Sequence, residues 1–138
     1  MHDTLPAFKI DLTVCAKRTD FGQGFYTTSW EHQACNWANN RVRKSRRARA
    51  SARAVIPCFA VSRYLMADLQ CLCFVRADNT QPLRDAAYDV VFGRVSLGSQ
   101  RLVVFDSYQV SFHTNAGIAA LSAPYVTDIG SLPTGLLT

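Results

Sequence analysis

Nine residues, Asp20-Phe21-Gly22-Gln23-Gly24-Phe25-Tyr26-Thr27-Thr28, place the tightest limits on how this chain folds. Gly22 and Gly24 can take backbone angles that other residues avoid, and they let another group come close to the main chain. The Phe-Tyr-Thr-Thr run after them is extended, so Phe25 and Tyr26 point to opposite faces. One ring can fill a core while the other meets a ligand. Two readings compete at this point: a cradle for a nucleotide, and an ordinary loop entering a buried strand.

The residues that follow read as a helix. Trp30, Ala34, Trp37, Ala38 and Val42 recur at the spacing of one helical face, with Ser29 as the expected N-cap. The order is therefore glycine turn, short strand, amphipathic helix. Farther on, Ala54 to Val61 is expected to be extended, with Pro57 pointing to an edge or a bulge. Leu69, Leu72 and Cys73 suggest a short helix over Met66 to Arg76, and Asn79 to Asp85 reads as a loop. Tyr88 to Val95 is apolar on both sides and strand-like, and Arg101 to Phe105 and Tyr108 to Phe112 are shorter strands. Thr114 is placed to cap a brief helix over Ala116 to Leu121, whereas Pro124 to Thr138 has little to pack with. The expectation is one mixed α+β domain over residues 1–121 and a poorly ordered tail over 122–138.

Composition narrows the class further. At 138 residues, 49% hydrophobic and 18% charged, the chain can bury one core but not two. No apolar run approaches the roughly 20 residues that span a bilayer, and the amino terminus lacks the basic-then-apolar pattern of a signal peptide. A soluble, cytoplasmic protein without a membrane partner is expected. Cys15, Cys35, Cys58, Cys71 and Cys73 are odd in number and irregular in spacing, so they read as buried or half-buried thiols. Cys71 and Cys73 would share one face of a strand, but no second close pair completes a four-ligand zinc site, and no metal is expected.

The net charge of +5 is concentrated in one stretch: Arg41, Arg43, Lys44, Arg46, Arg47, Arg49 and Arg53, with no acid among them. One reading is a helix running into solvent, its cations suiting the carboxyl end of the helix dipole. The other is a patch that holds polyanions nonspecifically. The run lacks the aromatic residues that a base-stacking, sequence-reading module uses.

The motifs together resemble a known family. Asp20-Phe21-Gly22-Gln23-Gly24-Phe25-Tyr26-Thr27-Thr28, then His32-Gln33-Ala34 and Trp37-Ala38, then Tyr88-Asp89-Val90-Val91-Phe92-Gly93 with Val95, then Tyr108-Gln109-Val110-Ser111-Phe112-His113-Thr114, occur in the order of a bacterial domain family of unassigned function placed in the ADP-ribosyltransferase superfamily. The resemblance runs from about Ile10 to Leu121. It implies a small split two-sheet fold whose cleft holds NAD, with the first strand and helix shortened or missing.

It also implies a chemistry. Breaking the nicotinamide–ribose bond creates an oxocarbenium-like centre, which calls for groups that hold the nicotinamide, orient the ribose and stabilise positive charge. Gly22-Gln23-Gly24-Phe25-Tyr26 is similar to the Gly-x-Gly-x-Tyr run of the poly(ADP-ribose) polymerases, which makes Tyr26 the residue stacked on nicotinamide, a contact worth about 1–2 kcal/mol when desolvated. Gln109 stands where those enzymes carry glutamate. Its amide can accept a ribose hydrogen bond but brings no charge. On this resemblance Tyr26 and Gln109 are the catalytic candidates, and His2, Gly24, Phe25, Tyr26, Thr27 and Ser111 the NAD-binding ones. His113 reads as a structural histidine. The chain departs from the pattern at its start, where His2-Asp3-Thr4 stands in place of Tyr-His-Gly-Thr and leaves no room for a helix before Ile10.

Three functions follow as expectations. The first is transfer of ADP-ribose from NAD to an unknown protein or nucleic-acid acceptor with release of nicotinamide. The second is a catalytically silent nucleotide-binding or interaction domain, truncated or degenerate. The third is a polyanion-binding module using Arg41, Arg43, Lys44, Arg46, Arg47 and Arg49.

Overall fold

A computed structural model describes residues 3–4, 9–17, 19–44, 55–74, 88–97, 102–103 and 107–128. The architecture is mixed α+β, and the chain divides into two compact units. His2, the basic residues Arg46, Arg47, Arg49 and Arg53, and the expected loop from Asn79 to Asp85 lie outside the described residues.

In the first unit, strands β1 (Asp3–Thr4), β3 (Val55–Cys58) and β9 (Tyr125–Asp128) form a sheet in the order β1-β9-β3, antiparallel throughout. β3 is an edge strand, so Pro57 costs the ladder no interior hydrogen bond, as its sequence position suggests. Tyr125 to Asp128 corrects the expectation for that stretch: with little apolar sequence of its own, it is nevertheless the central strand, paired on both sides. Its partners are more than 65 residues away in sequence, so nothing local announces it.

Helix α1 (Glu31–Lys44) belongs to the same unit. Its first bond runs from the Ala34 N–H to the Trp30 carbonyl at 3.1 Å, which puts Trp30 rather than Ser29 at the cap. The buried stripe is also narrower than the apolar spacing predicts. Cys35 packs with Ala38, Val42 and Ile56 of β3, whereas Trp30 and Trp37 are 42% and 40% exposed. Small side chains let helix and strand approach closely, and the two indoles stay at the margin. Glu31 in the first turn and Arg41, Arg43 and Lys44 in the last complement the helix dipole.

The second unit carries a four-stranded mixed sheet in the order β2-β8-β5-β4. The strands are β2 (Phe25–Thr27), β4 (Cys71–Cys73), β5 (Val90–Gly93) and β8 (Gln109–Phe112). β4 and β5 run parallel and the other pairs antiparallel. Val90, Val91, Phe112 and Ser111 are sealed from solvent, with Phe21 and Ala120 beside them among the buried residues. β6 (Ser96–Leu97) and β7 (Leu102–Val103) make a separate two-stranded ribbon.

The expected helix over Met66 to Arg76 is not there. A one-turn helix α2 (Arg63–Ala67) starts earlier, capped by the Ser62 hydroxyl accepting from the Leu65 N–H, and Cys71 to Cys73 is strand. Helical spacing of three apolar residues is outweighed by pairing with β5. The Asp89 carboxylate accepts from the Gln70 N–H at 2.8 Å and from the Thr114 hydroxyl, tying the start of β4 to the start of helix α3 (Asn115–Ala119). Thr114 caps α3 as its sequence suggests, accepting from the Gly117 N–H.

Candidate functional site

Register decides what the second sheet presents. Tyr26 lies opposite Ser111, and Ser111 opposite Val91, which lies opposite Leu72. Side chains alternate along a strand, so Gln109, Ser111, Tyr26, Val91 and Leu72 share one face. Phe25 and Thr27 face the other way: Phe25 pairs with Phe112, and the Thr27 hydroxyl donates to the Val110 carbonyl at 2.9 Å. Of the residues singled out from sequence, Tyr26, Gln109 and Ser111 are thus brought together, with Gly24 beside them, while Phe25 and Thr27 are not.

The loop from Thr19 to Gly24 is held against that face. Thr19, Asp20, Phe21 and Gly22 make a turn closed by the Gly22 N–H donating to the Thr19 carbonyl at 3.2 Å, and Gly22 sits at φ +91°. A side chain there would be strained, which accounts for glycine. The Gly22 carbonyl accepts from two hydroxyls, Thr19 and Tyr26, the latter at 2.8 Å. Tyr26 also accepts from the Phe21 N–H at 2.8 Å. Gly24 has a different reason to be glycine. A Cβ there would lie 2.6 Å from His113 Nδ1 and 2.8 Å from the Phe112 carbonyl, so the loop could not sit this close to β8.

His113 clamps the loop. Its Nδ1 is 2.8 Å from the Gln23 carbonyl, and its Nε2 is 2.7 Å from the Ser111 hydroxyl. A carbonyl only accepts, so Nδ1 carries the proton, and in the neutral ring Nε2 accepts from Ser111. The arrangement has the outline of a serine nucleophile and its base. Ser111 is 0% exposed, however, and its oxygen is held between His113 and, at 3.4 Å, the Val91 carbonyl. The pair is a buried strut, and both ring nitrogens of His113 are satisfied, as the sequence reading expects. Gln23 adds a further tie, donating through Nε2 to the Thr13 and Cys15 carbonyls at 3.2 and 3.0 Å.

Gln109 is buried, and its amide orientation is set by its partners. Nε2 lies 2.7 Å from Asp20 Oδ2 and 3.0 Å from the Arg94 carbonyl, both acceptors, so the nitrogen must face them. Both of its hydrogens are committed. The amide oxygen is what remains to receive a hydrogen bond.

Aromatic contacts complete the surroundings of Tyr26. Phe21 stacks near-parallel to it with ring centroids 6.3 Å apart and to Phe74 at 5.4 Å, while His113 meets Tyr26 edge-on at 6.0 Å. Burial pushes the Tyr26 phenol above its usual range, and the Asp20 carboxylate nearby pushes it the same way, against hydrogen bonds that pull it down. The phenol stays protonated and keeps donating to Gly22. Asp20 is therefore felt at both Tyr26 and Gln109. In the sequence Asp20 stands out only as part of a motif; nothing local signals that its carboxylate meets a residue 89 positions later.

Residues 5–112 match a family described as a protein of unknown function, DUF3990. The chain belongs to the DUF3990 family. The matched span contains the glycine loop, Tyr26 and Gln109, and ends one residue before His113. Neither the curated proteins nor the solved structures contain a match to the chain. Among the described residues, no helix is long and apolar enough to cross a membrane, and no group of three or more His, Cys, Asp or Glu is arranged to hold a metal ion. None of the five cysteines is in a disulfide, and Cys71 and Cys73 are exposed on β4.

Proposed function

We propose that this DUF3990 protein binds NAD against the face that carries Tyr26 and Gln109, and transfers ADP-ribose to an acceptor. The bond between ribose C1′ and the pyridinium nitrogen breaks, its electron pair leaves with neutral nicotinamide, and an acceptor nucleophile bonds to C1′ as it gives up a proton. No metal takes part in this scheme. Tyr26 supplies an aromatic surface for the cationic ring, and the Gln109 amide oxygen accepts from a ribose hydroxyl.

One observation carries the reading. Two residues 83 positions apart, matched to the nicotinamide-stacking and ribose-binding positions of the resembled superfamily, share one sheet face beside a glycine loop that is tied down before any ligand arrives. A preorganised loop loses little freedom on binding, which favours both affinity and rate. Gly24, Ser111 and His113 contribute by holding that loop. His2 remains a proposed ribose contact by resemblance alone.

The test is nicotinamide release from NAD by the purified chain, with Tyr26→Ala, Tyr26→Phe and Gln109→Ala beside it. Release by the parent, kept in Tyr26→Phe and lost in the two alanine variants, is the expected result. A folded parent that binds NAD without releasing nicotinamide would replace the transferase by a silent nucleotide-binding domain. A separate reading, polyanion binding, draws on the exposed Arg41, Arg43 and Lys44 at the end of α1. It predicts salt-sensitive retardation of nucleic acid that Tyr26→Ala leaves intact.

A further inference from the structure

The buried Gln109 amide spends both of its hydrogens on acceptors, one of them the carboxylate of Asp20 at 2.7 Å. An ionised partner makes this the stronger kind of hydrogen bond, and in a partly desolvated setting it polarises the group that donates. Electron density drawn toward the amide oxygen raises its capacity to accept and its negative potential. Asp20 also lies close enough to Tyr26 for its charge to act on the phenol, so the carboxylate, the aromatic ring and the amide converge. Glutamine by itself brings no charge to a developing cation. Its hydrogen-bond partner here is a carboxylate.

We infer that Asp20 is the positioning residue that gives the Gln109 amide its orientation and its charge, so that carboxylate and amide together do the work of one glutamate at the ribose. The inference rests on the NAD-cleaving reading. As the C1′–nitrogen bond breaks and its electrons leave with nicotinamide, positive charge grows on the ribose. The Gln109 oxygen, bonded to a ribose hydroxyl and backed by the Asp20 carboxylate, lowers the energy of that charge more than that of bound NAD. Such a contribution belongs to kcat rather than to KM.

The experiment compares four full-length chains in nicotinamide release from NAD: the parent, Asp20→Asn, Gln109→Glu, and the double exchange Asp20→Asn/Gln109→Glu. In Asp20→Asn the new amide still offers an oxygen to the Gln109 nitrogen, so the single change removes charge while keeping the bond. The double exchange reverses donor and acceptor and moves the charge to position 109. Thermal melting of each chain reports whether the loop stays in place. Expected is a fall in kcat of about tenfold or more in Asp20→Asn, with KM for NAD within about twofold, and recovery in the double exchange. Should Asp20→Asn fail to fold, a folded double exchange decides: activity near the parent's supports the inference, and inactivity overturns it. Unchanged kcat in folded Asp20→Asn, or a rise in KM alone, overturns the role of Asp20 and leaves the NAD reading standing. A silent parent with an active Gln109→Glu or double exchange does the same. Silence in all four chains overturns both.

Discussion

The glycine loop of the second unit and the helix-on-sheet layer of the first are built on opposite principles. From Thr19 to Gly24 the chain is held by directional bonds: two hydroxyls on one carbonyl, a histidine on another, an amide on a carboxylate. Around Cys35 the contact is apolar and depends on small size, with Ala38, Val42 and Ile56 closing on a thiol. Hydrogen bonds specify position to a few tenths of an ångström but contribute little net stability each, whereas apolar contact stabilises without specifying direction. The first kind of contact is what fixes the places of Tyr26 and Gln109. The comparison predicts that the loop's residues tolerate little change in geometry and the helix layer little change in volume or polarity.

The largest expected effect tests whether the loop depends on the sheet beneath it. Phe112→Ala, at a position 2% exposed, should cost about 3–5 kcal/mol in denaturant unfolding, with faster hydrogen exchange at the Val91 and Val110 amides. Equal acceleration at the β9 amides would erase the distinction between the two units. Next, Gly24→Ala should cost about 1–3 kcal/mol, because its Cβ meets the Phe112 carbonyl and the His113 ring. Gly22→Ala, with open space but φ +91°, should cost nearer 1 kcal/mol. If the two are equal, close approach to β8 is not what selects glycine at position 24.

In the helix layer, Cys35→Ser should cost about 1–2 kcal/mol by burying a hydroxyl among apolar groups, and Cys35→Ala less. Alkylation followed by mass spectrometry gives a companion check. The exposed thiols of Cys71 and Cys73 should react before the hidden Cys35; burial raises the Cys35 thiol above the usual range, and partial desolvation with Asp89 nearby raises that of Cys71 as well, so exposure is what separates them. Early labelling of Cys35 would mean that the layer opens readily.

Two smaller effects are read from pH. The Thr114 hydroxyl and the Gln70 N–H hold the Asp89 carboxyl below its ordinary value of 3.8. The folded state thus prefers ionised Asp89, and the benefit is present above about pH 4 and lost as pH falls through the lowered value. Asp89→Asn should cost about 1 kcal/mol or less near neutrality, given the exposure of the group, and should flatten the acid limb of a stability profile. Tyr26 works in the opposite sense. Its raised phenol favours the protonated form in the folded state, so stability is kept below pH 10 and lost as pH rises beyond it. Tyr26→Phe should blunt that alkaline loss while lowering stability at pH 7 by about 1 kcal/mol. An unchanged alkaline limb would show that the hydroxyl is not part of the latch.

Much of this was legible in the chain itself. The glycine pair, the Phe-Tyr-Thr strand, the presence and cationic end of α1, the edge position of Pro57 and the cap at Thr114 all depend on turn chemistry, spacing or capping within a few residues, whereas the cap of α1 falls at Trp30 rather than Ser29. The helix expected across Met66 to Arg76 failed because short apolar runs fit either period, and a parallel partner at β5 chose strand. Tyr125 to Asp128 was missed for a related reason, its pairing with both β1 and β3 being remote in sequence.

At the candidate site, Tyr26 and Gln109 were identifiable by motif, but what they touch was not. The sequence by itself determined some of the local pieces: where glycine relieves the backbone, where β2, α1 and α3 lie, and which residues carry polar groups. Tertiary structure alone decided that Gln109 and Ser111 share a face with Tyr26, that Ser111 is buried against His113, and that Asp20 stands behind Gln109. The physical reason is register. Turn and cap energies act within a few residues, whereas the side-chain alternation of a strand has a period of two. A shift of one position in the β2–β8 pairing would have put Tyr26 on the opposite side of the sheet from Gln109 and Ser111.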